Sequence, residues 1–486
     1  MTKAMLVTMF LLSLSLAAGA HADGVVYEAE KAEVNGANRI QWDLSASGQN
    51  AVGVFEHDAD TVVFLVEAPE DGIYNLTFTC RGIGGGKTNL VFVDDQEAGS
   101  FSVSGVTYED CVLAAVPLSK GTHSVAVVKS WGWIYLDCLT VSSAEGIPDS
   151  VFDVTADLIN PSASKEAQEL YSLLRSAYGN FILSGQVCDG GLKGTEFNAI
   201  HDVTGKYPAI LGLDMMDYTP VRIDHGARST AVERAIEFHQ AGGIVTFCWH
   251  WSAPWDTIKE GKDANGNPNW WGGFYTANCT YDFTEALYGN NPAAKAVLDG
   301  DIAAIASQLK RLGEAGVPVL WRPLHEASGG WFWWGARGAE AYKALWRYLY
   351  EQLTDVHHCN NLIWVWNGQG AEWYPGDDCV DIIGEDIYAS AHSYGAQNGK
   401  FLELTGYSDE NKIIALTENG VVFDVDKAFE TNACWAWFCS WSGSFVVQGH
   451  WYSEAYTEKE ILKKAYDSDY VITLDELPAL WESTGN

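Results

Sequence analysis

Between residues 24 and 143, short apolar runs alternate with polar positions, and the runs stop at Gly, Asp or Asn. Residues 61–66, 74–79, 88–93, 123–128 and 134–141 follow this rhythm. A period of two with turn residues every ten or so positions predicts strands that bury one face, and so a β-sandwich over 24–143. No stretch there has helical spacing. The glycine-rich stretch 82–88 lacks the first Gly of a phosphate loop and leads into a strand, so it predicts a turn. Residues 144–151 (AEGIPDSV) carry turn formers and predict a linker.

From residue 152 to 486 the rhythm becomes strand, loop, helix. Strands are predicted over 181–186, 209–214, 243–250, 318–326, 362–369, 380–388, 412–419 and 435–442. Helical patterns fill 162–176, 230–240, 301–315 and 339–354. Eight such units predict parallel strands with crossover helices, closed as an α/β (β/α)8 TIM barrel. An open doubly wound sheet would carry a Gly-rich turn after its first strand, and FILSGQ at 181–186 has none.

At the N-terminus, Lys3, an apolar run from residue 5 to 18 and the small residues Ala20 and Ala22 predict a signal peptide over 1–22, and therefore secretion. An exported chain can form disulfides. Its ten cysteines show no paired zinc spacing and read as structural thiols or disulfides; sequence leaves the pairing open, with Cys434–Cys439 and Cys359–Cys379 as candidates.

A formal net charge of -35 excludes nucleic acid and anionic membrane surfaces, since both demand basic side chains. A neutral polymer is indifferent to that charge. Tryptophan is abundant, with 21 residues, and many fall beside Gly, Asn or Asp: Trp131, Trp133, Trp270, Trp271, Trp331, Trp333 and Trp334. Loop indoles suit the flat C–H faces of sugars, although they also fill cores.

In a barrel of this kind the working groups stand at the C-terminal strand ends. Here those ends carry Gln186, Asp214, His250, His325 with Glu326, Asp386 with Tyr388, Glu418 and Trp441. Glu326 on the fourth strand and Glu418 on the seventh are the candidate catalytic pair. Glycoside hydrolysis needs one carboxylic acid to protonate the leaving oxygen and one ionised carboxylate. The competing reading is a pair of strand-end ion pairs, with Asp386 as a third carboxylate that binds sugar or tunes the pair.

These residues lie in motifs that resemble glycoside hydrolase family 26: WRPLHEASGGWFWW at 321–334, IALTENG at 414–420, GEDIY at 384–388, WFCSW at 437–441 and VITLD at 471–475. The resemblance implies a retaining, secreted endo-β-1,4-mannanase that hydrolyses mannan, glucomannan or galactomannan. It makes Glu326 the acid/base and Glu418 the nucleophile. It makes His250, Arg322, His325, Trp331, Asp386, Tyr388 and Trp441 substrate-binding or orienting residues, with Trp270 and Trp271 stacking a further sugar. Catalysis then needs no cofactor. VYEAE at 26–30 and WGWIYLD at 131–137 resemble a family 35 carbohydrate-binding module, which implies a jelly-roll sandwich. They also imply a structural calcium held by Glu28, Glu30 and Asp137, and a sugar contact at Trp131. Such a module would tether a monomeric enzyme to insoluble mannan. Mixed-linkage β-glucan or β-1,3-xylan as substrate, or a non-catalytic wall-binding protein, stand as alternatives.

Overall fold

The computed structural model describes residues 24–289 and 291–483. The signal-peptide expectation falls on residues outside this range. No helix among the described residues is long and apolar enough to cross a membrane.

The N-terminal part is all β. A six-stranded antiparallel sheet runs in the order Arg39–Trp42, Asn50–Val54, Ile134–Ser143, Gly72–Gly82, Glu109–Leu118, with Val25–Glu28 also on Ile134–Ser143. A five-stranded sheet runs Glu33–Asn35, Thr61–Ala68, Gly121–Lys129, Lys87–Val93, Gln96–Val103. Strict alternation makes the sandwich. In Gly72–Gly82 the residues Tyr74, Leu76, Phe78 and Cys80 are buried while their neighbours are half-buried. Phe64, Val66, Val125, Val127 and Leu136 close the same core.

The barrel strands are β1 (Ile182–Val187), β2 (Ile210–Asp214), β3 (Ile244–Trp249), β4 (Val319–Pro323), β5 (Leu362–Trp366), β6 (Ile382–Ile387), β7 (Ile413–Asn419) and β8 (Trp437–Ser440). All pair in parallel with their sequence neighbours, and β8 pairs with β1 to close the ring. The strands are buried along their length, save for the half-buried last residues of β1, β2 and β6, as parallel strands covered by helices must be. The expected helices form, and the one expected at 301–315 begins earlier, as Pro292–Glu314. Asn291 caps it and Pro292 occupies its first turn, a start signal that the apolar pattern alone does not show.

The expected linker 144–151 is pinned to the barrel: Ile147 is buried, and Asn432 and Asn411 donate to the carbonyls of Ile147 and Ser150. The cysteines are all free thiols. Cys359, Cys379 and Cys434 turn to backbone carbonyls, and it is Cys80 and Cys111, on adjacent strands, whose sulfurs lie 3.6 Å apart. Sequence proximity said nothing about which sulfurs the sheet register would align. Finally, Trp333 and Trp334 are wholly buried, donating to the carbonyls of Trp251 and His325, so they are wall rather than sugar platform.

Candidate active site

Strand β4 ends at Pro323, three residues earlier than its apolar pattern suggests. Leu324 and Glu326 both take left-handed backbone conformations, φ 53° and 52°. Each costs a non-glycine residue of order 1 kcal/mol, so the surroundings must enforce it. They do. The Glu326 N–H donates to the Asn367 carbonyl (2.9 Å), Ser328 N–H to Gly368 (2.9 Å) and the Trp334 indole to His325 (2.8 Å). The kink turns Glu326 over the barrel mouth.

A register shift brings the other carboxylates together. Between β6 and β7 the pairing jumps from Glu385–Leu416 to Asp386–Glu418, skipping Thr417. This bulge sets Asp386 and Glu418 side by side. One oxygen from each of Glu326, Asp386 and Glu418 lies within 4.8 Å of the others.

Two of these carboxyls, Asp386 and Glu418, are buried and need a cation, and Arg322 on β4 supplies it. Its guanidinium binds Asp386 at 2.9 Å and Glu418 through its other amino group. Against its burial, those two carboxylates hold Arg322 firmly protonated. Thr417 donates to Asp386 (2.7 Å) and Tyr388 donates to Glu418 (2.5 Å). Among the described residues, the Glu326 carboxyl receives only the Trp331 indole N–H, at 2.9 Å. The asymmetry separates the pair. Burial, then the charges of Asp386 and Glu418, push Glu326 up to about 8. Burial and Asp386 also raise Glu418, to about 7, while Arg322 and Tyr388 pull it back. Arg322 and Tyr388 thus favour the ionised form of Glu418 more than the single Trp331 bond favours that of Glu326.

Beside them runs a histidine relay. His250 Nδ1 donates to Asp214 (2.6 Å), and His250 Nε2 lies 3.2 Å from His325 Nε2. Burial first, with His250 and Arg322 close by, keeps His325 well below its ordinary value, hence neutral. Asp214, Cys248 and His250 also converge within 4.8 Å, where burial pushes the Cys248 thiol up.

Of the residues singled out from sequence, Arg322, Asp386, Tyr388 and Glu418 form one bonded cluster, and Glu326, held by Trp331, stands beside it with His250 and His325 nearby. Trp441 joins edge-on to His250, with ring centroids 6.2 Å apart. Trp331 and Tyr388 are nearly half exposed, at 46% and 42%, and so face the cleft. Trp270 and Trp271 lie apart from the carboxylates. Trp270 stacks on His225 (4.7 Å), and Arg222 holds the Trp271 carbonyl. Trp131 is exposed on the sandwich. Sequence reading missed Asn367, Thr417 and Tyr275. Asn367 follows β5 directly and was legible as a strand-end polar residue, whereas Tyr275, whose hydroxyl is raised by burial and by Glu326, sits in a long loop with no periodic signal.

On the sandwich, the Ser47 hydroxyl lies 2.8 Å from both the Glu28 and the Asp137 carboxylates. One Glu30 oxygen is buried without a partner. Gly48 lies alongside, where a Cβ would come 3.0 Å from Glu30 and 3.9 Å from Glu28.

Residues 159–476 match the model of glycosyl hydrolase family 26, and residues 25–144 match that of carbohydrate binding module family 35. A mannan endo-1,4-β-mannosidase of Thermothelomyces thermophilus is 38% identical over 94% of this chain and 91% of its own length. Mannan endo-1,4-β-mannosidase B of a Piromyces species is 33% identical over 94% of this chain and 77% of its own. The crystal structure of a Podospora anserina GH26-CBM35 β-(1,4)-mannanase superimposes with a TM-score of 0.65 at 37% identity, over 95% of this chain and all of that one.

Proposed function

This chain belongs to glycosyl hydrolase family 26, and on that premise we propose that it is a secreted, monomeric endo-β-1,4-mannanase that works by double displacement with retention. The observation that carries the reading is the approach of Glu326 and Glu418 to within 4.8 Å. Carboxyls about 5–5.5 Å apart suit attack by one of them, whereas inversion needs about 6.5–9.5 Å to admit a water. Glu418, ionised and aimed by Arg322 and Tyr388, attacks the anomeric carbon. Glu326, still protonated, gives its proton to the departing oxygen. Once Glu418 is esterified its charge is gone, the proton affinity of Glu326 falls, and Glu326 can then take a proton from water. Trp331, Tyr388, His250 and Trp441 flank the sugars at the cut, and Trp270 or Trp271 stacks a more distant one.

Full-length similarity to proteins named as mannanases favours mannan over mixed-linkage β-glucan and β-1,3-xylan. Product profiling of mannohexaose with anomeric analysis, beside lichenan and xylan, tests this. Internal cleavage with β-anomeric first products is expected. Activity confined to lichenan or xylan would defeat the substrate assignment, and inactivity on all three would favour a wall-binding protein.

The pH profile should be a bell. kcat/KM rises as Glu418 ionises and falls as Glu326 does, with apparent values belonging to the pair. Asp386→Asn removes a charge that raises both, so both limbs should move to lower pH. Limbs that stay in place would exclude Asp386 as a tuning group.

We read Glu28, Glu30 and Asp137 as calcium ligands. The oxygen-only donors and the unpartnered buried Glu30 oxygen suit such an ion, with Gly48 leaving Glu30 free of a side-chain Cβ. Calcium at about 100 times its dissociation constant stabilises a folded site by about 2.7 kcal/mol. Calorimetry should show a higher thermal midpoint with calcium than with chelator, and Glu30→Ala should abolish the difference. Equal midpoints for the unaltered chain would refute the site.

A further inference from the structure

The sandwich does not merely neighbour the barrel. Its hairpin at residues 94–97 enters the loop that follows β6. The Glu97 carboxylate accepts from the Ser390 N–H (2.9 Å) and the Ser390 hydroxyl (2.5 Å). In return the Glu97 N–H donates to the Ser393 hydroxyl (3.0 Å), and Gln96 accepts from the Tyr394 N–H (2.9 Å). Glu97 is only 7% exposed, so these bonds are shielded from water. Behind the loop, helix Asn398–Thr405 lies so close to Glu109–Leu118 that a Cβ on Gly399 would come 2.8 Å from the Ala114 carbonyl.

Ser390 is two residues from Tyr388, whose hydroxyl donates to Glu418. Tyr388 is otherwise lightly held. It touches Phe445 (centroids 5.1 Å) and leaves much of its ring exposed. The far end of the loop is tied to the β8 side through His392 and Tyr456. We propose that Glu97 of the sandwich is a positioning residue for the reaction: by clamping Ser390 and Ser393 it fixes Tyr388 and, through it, the attacking oxygen of Glu418. The inference rests on the reading of Glu418 as nucleophile. It makes the module part of the catalytic support rather than a tether alone.

The test uses full-length chain on soluble mannohexaose, with Glu97→Ala, Glu97→Gln, Tyr388→Phe and the double variant Glu97→Ala/Tyr388→Phe. Small misplacements of reacting groups cost up to about a hundredfold, so Glu97→Ala should lower kcat by about tenfold with KM little changed. Its acid limb should move to higher pH, because a weakened Tyr388 bond leaves Glu418 easier to protonate. Glu97→Gln keeps an acceptor oxygen for Ser390 and should recover part of the rate. In the Tyr388→Phe background, Glu97→Ala should change nothing further. An unaltered kcat and acid limb in Glu97→Ala, or a full additional loss in the double variant, overturns the proposal. Should Glu97→Ala unfold, Ser393→Ala and Glu97→Gln decide by the same readouts. Glu418→Ala is run alongside. If it stays fast, the nucleophile reading has failed; if it is slow while Glu97→Ala is normal, only the role of the module has.

Discussion

Glu418→Ala should lower kcat on mannan by about 10⁴-fold or more, and Glu326→Ala by about 10²–10⁴-fold, with the barrel still folded. The difference follows from the two roles. Without Glu418 there is no group to form the glycosyl-enzyme. Without Glu326 a substrate with a good leaving group can still react, and only the proton transfers are lost. Added azide separates the two. In Glu418→Ala the anion fits the space of the missing carboxylate and attacks from that side, giving the α-glycosyl azide. In Glu326→Ala azide attacks the intermediate from the opposite side and gives the β-azide. Identical anomers from both variants, or a near-normal rate in either, would remove the assignment. Both side chains replaced are buried or nearly so, and alanine relieves repulsion among the three carboxyls, so stability should not fall greatly.

Arg322→Met should damage both folding and catalysis. The guanidinium is the cation bonded to Asp386 and Glu418, all three being buried. Removing one partner of such a group leaves uncompensated charge and costs about 3–5 kcal/mol. The molecule can escape part of that cost by binding a proton, which fixes the sign of the pH dependence. Glu418 already sits at about 7 against an ordinary 4.5, and losing Arg322 drives it higher. A carboxyl with a raised folded value binds protons more tightly folded than unfolded, so its destabilising effect grows as pH rises through that window. Denaturant melts should thus show a larger deficit at pH 8 than at pH 5. Activity should fall throughout, since a protonated Glu418 cannot attack. A deficit that is constant with pH would mean that Arg322 acts through packing alone.

Sequence by itself determined the two architectures and set Glu326 and Glu418 at the ends of barrel strands. A period of two cut by turn residues can bury only one face, which makes a sandwich, and eight apolar runs separated by helical ones can satisfy their backbone only as parallel strands under helices. Glu326 and Glu418 were legible because barrel chemistry stands at strand ends, which apolar runs mark. The tertiary structure decided which groups meet. Arg322 finds Glu418 across 96 residues and Asp386 across 64, through strand register and a one-residue bulge that no local pattern encodes. It decided that Trp333 and Trp334 are wall while Trp331 faces the cleft, since three indoles in one short motif look alike until packing buries two of them. It also decided that Glu97, unremarked in its strand, holds the loop behind Tyr388. Its partners lie 293 and 296 residues away, and only the docking of two separately closed cores brings them into reach.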